Sequence, residues 1–469
     1  MLIEFSVTNY RSFREKQTLS MSASGYFKEL EEQNCFDTGI VGLKLLKSVV
    51  IYGPNASGKS NLISAISFMR HMVISSAKQT QESEELNVTP FLLDQASKDK
   101  GSEFEIIFVE GGIRYQYGFA LTRKRIHHEW LIAYPEGRPQ RWFEREYDPK
   151  SDQENYEFGP KFLGRRLRQD WKSVTRSNAL FLSVAVQFKS EQLKSVFDWF
   201  QNRLGIISSH DLLNPKNVYT ATVCKTDEGK KRIIDFLNAA DLSIADVQVK
   251  VPISEMFSRI NSLSAQYKEM VMAAEKIIEN ARNLPDGNVK RKRIAEALRI
   301  LEESKKNQKQ LKELYENTEK LSEEPEIEFL HKATDVGQLV AFSDRDESVG
   351  TRNLFSFAGI WLDALDNDKI LFVDEIDSSL HPLVVHQLVR LLHQLGHKAQ
   401  LVFTTHDTTI LSQDFIRRDQ IWFVEKDSSN ASRLYSLSDF KVRKQEALEQ
   451  GYLRGRYGAI PFIKELIEK

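Results

Sequence analysis

Eight consecutive residues, Gly53-Pro54-Asn55-Ala56-Ser57-Gly58-Lys59-Ser60, follow the pattern G-x-x-x-x-G-K-[ST]. Glycine lets the backbone curl until its N–H groups converge on an anion. Asn55 and Gly58 belong to the curl, Lys59 is placed to reach the β- and γ-phosphates, and the Ser60 hydroxyl is a ligand for Mg²⁺. The chemistry expected here is binding of ATP with Mg²⁺.

A second group lies over three hundred residues further on, in Ile370-Leu371-Phe372-Val373-Asp374-Glu375. The apolar run reads as a buried strand that delivers two carboxylates to its C-terminal tip, the edge where α/β sheets bind ligands. Asp374 is expected to hold Mg²⁺, directly or through water. Glu375 is expected to polarise the attacking water. Together the two groups predict ATP hydrolysis to ADP and phosphate.

Such residues act only if strands and helices hold them. Lys47-Ser48-Val49-Val50-Ile51 is a β-branched run ending at the glycine loop. Leu62, Ile63, Ile66 and Met69 then recur at helical spacing, completing strand, loop and helix. Residues 2–7 alternate as a half-buried strand, and Phe104–Val109, Gly111-Gly112 and Tyr115–Leu121 predict a hairpin. Residues 137–180 are polar, aromatic and without clear period. Apolar strands at Lys369–Val373, Leu401–Thr404 and Ile421–Val424, with a helix at Pro382–Leu395, predict a largely parallel sheet.

Between the two groups, residues 253–321 carry apolar residues three or four apart, interrupted by Leu284-Pro285-Asp286-Gly287-Asn288. That predicts an inserted α-helical hairpin, a short coiled coil. The expected organisation is 1–135 as the N-terminal part of the head, 136–250 as a mixed lobe, 251–323 as the hairpin arm, and 324–469 as the C-terminal part of the head.

The chain has 469 residues, too many for one ordinary core. Lys plus Arg total 65 and Asp plus Glu 66, so no global charge pulls it toward nucleic acid or a membrane. Nucleic acid remains a possible partner through local basic clusters, at Arg165-Arg166-Leu167-Arg168 and Lys290-Arg291-Lys292-Arg293. Two cysteines, Cys35 and Cys224, exclude a disulfide framework. With no leader-like start and no bilayer-length apolar run, the expectation is a cytoplasmic protein without a membrane partner.

These motifs resemble ATPases of the ABC type, in the branch containing the SMC, Rad50 and RecF heads. Thr8-Asn9-Tyr10-Arg11-Ser12-Phe13 is similar to that branch's opening, which implies that Arg11 lies close to nucleotide. Ile376-Asp377-Ser378-Ser379-Leu380-His381-Pro382 resembles the D-loop, and Thr404-Thr405-His406-Asp407 the switch segment, whose histidine meets the γ-phosphate. Glu347-Ser348-Val349-Gly350-Thr351 resembles a degenerate signature; read without the family, Ser348 and Gly350 form a turn opening a helix. Signatures act in trans, which implies a head-to-head homodimer around ATP, or a higher assembly of dimers. No glutamine loop is placed; Gln187 follows an apolar run but reads as structural.

The layout, with the closing Gly451–Pro461 segment, is similar to standalone ATPases of prokaryotic defence islands of the RloA and AbiL abortive-infection kind. That resemblance implies an antiphage switch controlling a separately encoded effector, such as a toxin nuclease. The alternatives are a DNA repair or recombination ATPase and, less favoured, an ATPase–nuclease acting alone through acids such as Glu425 and Asp427.

Overall fold

The structure is a computed structural model. It describes residues 1–79, 84–164, 167–208, 218–240, 242–250, 326–333, 337–378, 380–411, 414–441 and 447–461, with isolated positions between 271 and 299. The expected hairpin arm, and the basic residues Arg165, Arg166 and Lys290 to Arg293, lie outside the described residues. The chain divides into two units, Met1–Asn214 with Ile360–Lys469, and Pro215–Gly359.

The first unit holds two large sheets. One is antiparallel and seven-stranded, built from β1 (Leu2–Thr8), β2 (Gln17–Ser20), β6 (Ser102–Glu110), β7 (Ile113–Leu121), β8 (Ile126–Tyr134), β9 (Gln140–Asp148) and β10 (Gln153–Phe158). Its order is β10-β9-β8-β7-β6-β1-β2. Phe104, Ile106 and Phe108 of β6 face inward with Phe5 and Val7 of β1, as period-two alternation requires. Gly111 and Gly112 turn the β6–β7 hairpin with φ of 58° and 78°, the left-handed pair that matches strand twist.

The stretch 137–180 gave no clear period because its strands are not held by apolar alternation alone. Arg145 of β9 is buried and chelates Glu154 of β10 through two bonds of 2.9 and 2.8 Å. A third guanidinium bond reaches the Ala179 carbonyl at 2.7 Å. Such a polar clamp is invisible to a hydrophobic pattern.

The other sheet carries the chemistry. It combines β5 (Ser48–Tyr52), β11 (Leu204–Ile207), β15 (Ile370–Val373), β16 (Gln400–Thr404), β17 (Ile421–Lys426) and β18 (Ser432–Ser436), in the order β11-β15-β16-β5-β17-β18. All neighbours are parallel except β17 and β18. Every residue of β5, β15 and β16 is buried, which explains the apolar runs Val49–Ile51, Ile370–Val373 and Leu401–Phe403. Leu62, Ile66, Met69 and Val73 of helix Lys59–Gln79 share one core with residues of both sheets. A short hairpin, β3 (Cys35–Asp37) and β4 (Lys44–Leu46), precedes β5.

Helix Pro382–Leu395 is tied to the root of β5. His393 is buried, its Nε2 lies 2.8 Å from Ser48 Oγ, and Lys47 Nζ donates to its carbonyl at 2.7 Å. Burial, aided by the Lys47 charge, pushes the imidazole pKa down to about 3. The unfolded chain takes up this proton near pH 6.5, so stability is whole above that pH and is lost as pH falls toward 3. The loss at pH 5 is expected to be about 2 kcal/mol relative to pH 8. Urea midpoints at the two pH values check it; His393→Asn is expected to flatten the difference, and an unchanged difference overturns the assignment.

The second unit contains β12 (Asp246–Lys250), β13 (Glu326–Lys332) and β14 (Leu339–Ser343) as an antiparallel sheet in that order. Helix Asp227–Ala239 is capped by Thr226, whose Oγ1 accepts the Gly229 N–H at 3.1 Å. Helix Val349–Asp366 follows β14 in the chain. Among the described residues, no helix is long and apolar enough to cross a membrane. Both thiols are buried, and burial raises each pKa to about 11. A thiol reagent at pH 8 is expected to label Cys35 and Cys224 about tenfold or more slowly in the folded protein than in urea. Equal rates would contradict this packing.

Candidate nucleotide site

The phosphate loop joins β5 to helix Lys59–Gln79. Gly58 has φ of +116°, and a Cβ there would come within 2.3 Å of Ser432 Oγ and 2.8 Å of Ser12 Oγ. The loop is therefore packed from outside by β18 and by the N-terminal turn. Ser432 Oγ donates to the Ser57 carbonyl, and Asn61 Nδ2 donates to Ser12 Oγ at 2.8 Å. Lys59 is buried, with Nζ donating to the carbonyls of Gly53 at 2.7 Å and Pro54 at 3.2 Å. Burial lowers its pKa, and Glu375, Asp374 and Asp377 oppose that shift, so three carboxylates share its field.

Arg11 sits in a tight turn. Asn9 and Arg11 both have left-handed φ, of 50° and 49°, and Tyr10 and Phe13 exchange backbone hydrogen bonds of 2.8 Å. Asn9 is buried and holds the turn, donating to the carbonyls of Ser97 and Lys100 and accepting from Phe91 N–H. Arg11 Nη1 then reaches Ser64 Oγ at 3.0 Å on the loop helix. A cleft of about 540 Å³ is lined by Arg11, Ser60, Ser64 and Asp374, with Tyr10 and Ser208 among its other walls. Two residues far apart in the chain, Arg11 and Asp374, thus line one cleft with Ser60, the last residue of the phosphate loop.

Asp374 and Glu375 follow β15. Glu375 has φ of +53°, an uncommon conformation for a residue with a side chain. Asp374 is buried and accepts from Thr404 Oγ1 at 2.7 Å. Asp377 Oδ2 accepts the backbone N–H of His406 at 3.2 Å, which ties the segment after β15 to the segment after β16. His406 is exposed.

The donor set fits the group expected of it. Ser60 and Asp374 supply hard oxygens in one cleft, and Mg²⁺ takes one or two carboxylates plus phosphate oxygens rather than a cage of protein ligands. Ser57 Oγ and Asp377 Oδ1 are buried without a protein partner, polar atoms still to be satisfied.

Ser348 and Gly350 belong to the second unit. Ser348 Oγ accepts the Thr351 N–H at 3.0 Å, so it opens helix Val349–Asp366 as an N-cap and remains exposed. Gln187 ends helix Phe181–Gln187 and is not among the residues lining the cleft. Glu425 and Asp427 are engaged locally: Glu425 accepts from Ala459 N–H at 2.9 Å, and Asp427 from Ser429 and Ala431 N–H. Among the described residues, no group of three or more His, Cys, Asp or Glu could hold a metal.

Sequence reasoning gave no sign of Ser432. Asn9, Ser12 and Thr404 stand inside the opening and switch motifs, but the motifs assign them no role of their own; their contacts here appear only in the structure.

A parallel sheet with a glycine loop on one strand tip, acids on another, and a helix rising from the loop defines a P-loop mononucleotide-binding head. The chain belongs to the family described as AAA domain, putative AbiEii toxin, Type IV TA system, matching over residues 48–206 and 225–412, well over half its length. No curated protein matches it in sequence. Among solved structures it is similar to an Smc head domain with an extended coiled coil bound to the C-terminal domain of ScpA, from Pyrococcus furiosus, at 13% identity and a TM-score of 0.35, covering 93% of this chain and 97% of that one. The SMC head domain from Thermotoga maritima is 11% identical, with a TM-score of 0.37 and coverage of 93% and 98%. An SmcHead bound to the C-winged helix domain of ScpA is 12% identical, with a TM-score of 0.41 and coverage of 94% and 99%.

Proposed function

We propose that the chain binds ATP with Mg²⁺, hydrolyses it, and uses the cycle as a switch. The observation that carries this reading is the single cleft in which Arg11, Ser60 and Asp374 meet beside the phosphate loop. Lys59 and the loop N–H groups hold the β- and γ-phosphates. Ser60 and Asp374 would hold Mg²⁺, which when bound would draw charge off the phosphates. Glu375 takes a proton from the attacking water. By the family resemblance His406 would contact the γ-phosphate and Arg11 would lie close to the nucleotide; Asp377 holds the His406 segment through its backbone.

The exposed N-cap Ser348, with Gly350 in the first turn behind it, supports a shared site, in which this helix start meets ATP held by a second copy. The product of that geometry is a head-to-head homodimer closed by ATP and opened by hydrolysis, in the manner of a ligand-driven population shift. The family description names a putative toxin of a type IV toxin–antitoxin system, which is in keeping with a two-component role. In the reading proposed here the second component is a separately encoded effector that the ATPase controls. The test is co-purification with proteins encoded beside it, alongside hydrolysis rates with and without DNA. A co-eluting neighbour and DNA-independent hydrolysis support the switch. DNA-stimulated hydrolysis without any partner replaces it with a repair ATPase.

A further inference from the structure

One buried hydroxyl links the two acids. Thr404 closes β16, has no solvent exposure, and lies beside β5, where it pairs with Ile51. Its Oγ1 donates to Asp374 Oδ1 at 2.7 Å and accepts the N–H of Glu375 at 2.7 Å. Its carbonyl accepts the N–H of Ile376 at 3.1 Å. A backbone N–H only donates, so the Thr404 oxygen accepts from Glu375 and its own proton is left for Asp374 Oδ1.

We propose that Thr404 is a positioning residue for ATP hydrolysis, orienting the Asp374 carboxylate toward the metal subsite and holding Glu375 in its left-handed backbone conformation. This rests on the ATPase reading above. A left-handed glutamate persists only where its surroundings over-determine it. Here Thr404 supplies both the bond to its N–H and the bond to the next one. With the hydroxyl gone, Asp374 loses one fixed partner and the Glu375 peptide is freed to relax. The side chains stay, but their aim is lost, and small misplacements of reacting groups are costly.

The experiment compares native protein, Thr404→Val and Thr404→Ser, with Lys59→Ala as the control for nucleotide binding. Thr404→Val keeps the shape and removes both hydroxyl bonds. Its kcat is expected to fall about 10- to 100-fold, with KM changing much less. Its affinity for a fluorescent ATP analogue in EDTA is expected to match native, while the Mg²⁺ concentration that gives half the metal-dependent gain in affinity rises. Thr404→Ser restores the hydroxyl and is expected to recover most of the kcat. A Thr404→Val protein with native kcat and native Mg²⁺ midpoint overturns the proposal, as does a Thr404→Ser protein as impaired as the valine variant. If thermal melting finds Thr404→Val unfolded, Thr404→Cys keeps the volume, weakens both bonds and is judged by the same two criteria. If native protein neither binds nor hydrolyses ATP, or Lys59→Ala does both as well as native, the ATPase reading falls and takes this proposal with it. If Lys59→Ala is inactive and Thr404→Val is not impaired, only the proposal falls.

Discussion

Lys59→Ala is expected to weaken ATP binding about 100-fold or more and to remove measurable hydrolysis. The ammonium is buried at the base of the loop, on the carbonyls of Gly53 and Pro54. It therefore costs little further reorganisation to meet a phosphate. A charge-assisted bond to a phosphate contributes about 1.5–3 kcal/mol, and about 2.7 kcal/mol is a 100-fold change in affinity. Alanine removes this cation while Asp374, Glu375 and Asp377, which share its field, remain to repel the triphosphate. Arginine is no substitute, since its planar fork is longer and cannot seat its charge where the ammonium sits. Titration with a fluorescent ATP analogue and a phosphate-release assay measure both effects. ATPase activity retained in Lys59→Ala would remove the basis for the site.

Glu375→Gln is expected to separate binding from chemistry. Glutamine keeps the volume of Glu375 and leaves its backbone bond to Thr404 intact, so the left-handed conformation is preserved. It cannot accept a proton from water. Loss of a general base lowers the rate by about 10²- to 10⁴-fold, while ATP affinity is expected to stay near native. ATP would then persist in the site, and a dimer closed by ATP should accumulate. Light scattering after size exclusion, with ATP against ADP, reads this directly. A variant and a native chain that both stay monomeric with ATP defeat the shared-site geometry. A variant that hydrolyses at the native rate removes Glu375 from the role of base.

The phosphate loop was legible because its chemistry is local. Eight residues in a row carry the curl, the cation and the metal hydroxyl, and the strand before them is apolar on both faces. The acids were legible for the same reason, since β15 is an unbroken apolar run and Asp374 and Glu375 are where it stops. Strands β9 and β10 were not, because they are held in part by Arg145 and Glu154, which a hydrophobic period does not register.

What the sequence by itself determined is the class of ATPase and where its two candidate centres stand: Lys59 and Ser60 after one strand, Asp374 and Glu375 after another. Which residues complete them was decided by tertiary structure. The parallel order β15-β16-β5 sets Asp374, Thr404 and the glycine loop side by side, although they are hundreds of residues or a whole strand apart in the chain. The turn held by Asn9 brings Arg11 to Ser64 and into the cleft with Asp374. Hydrogen bonds as short as those of Thr404 depend on strand register to within an ångström, and no spacing along a single chain encodes that distance.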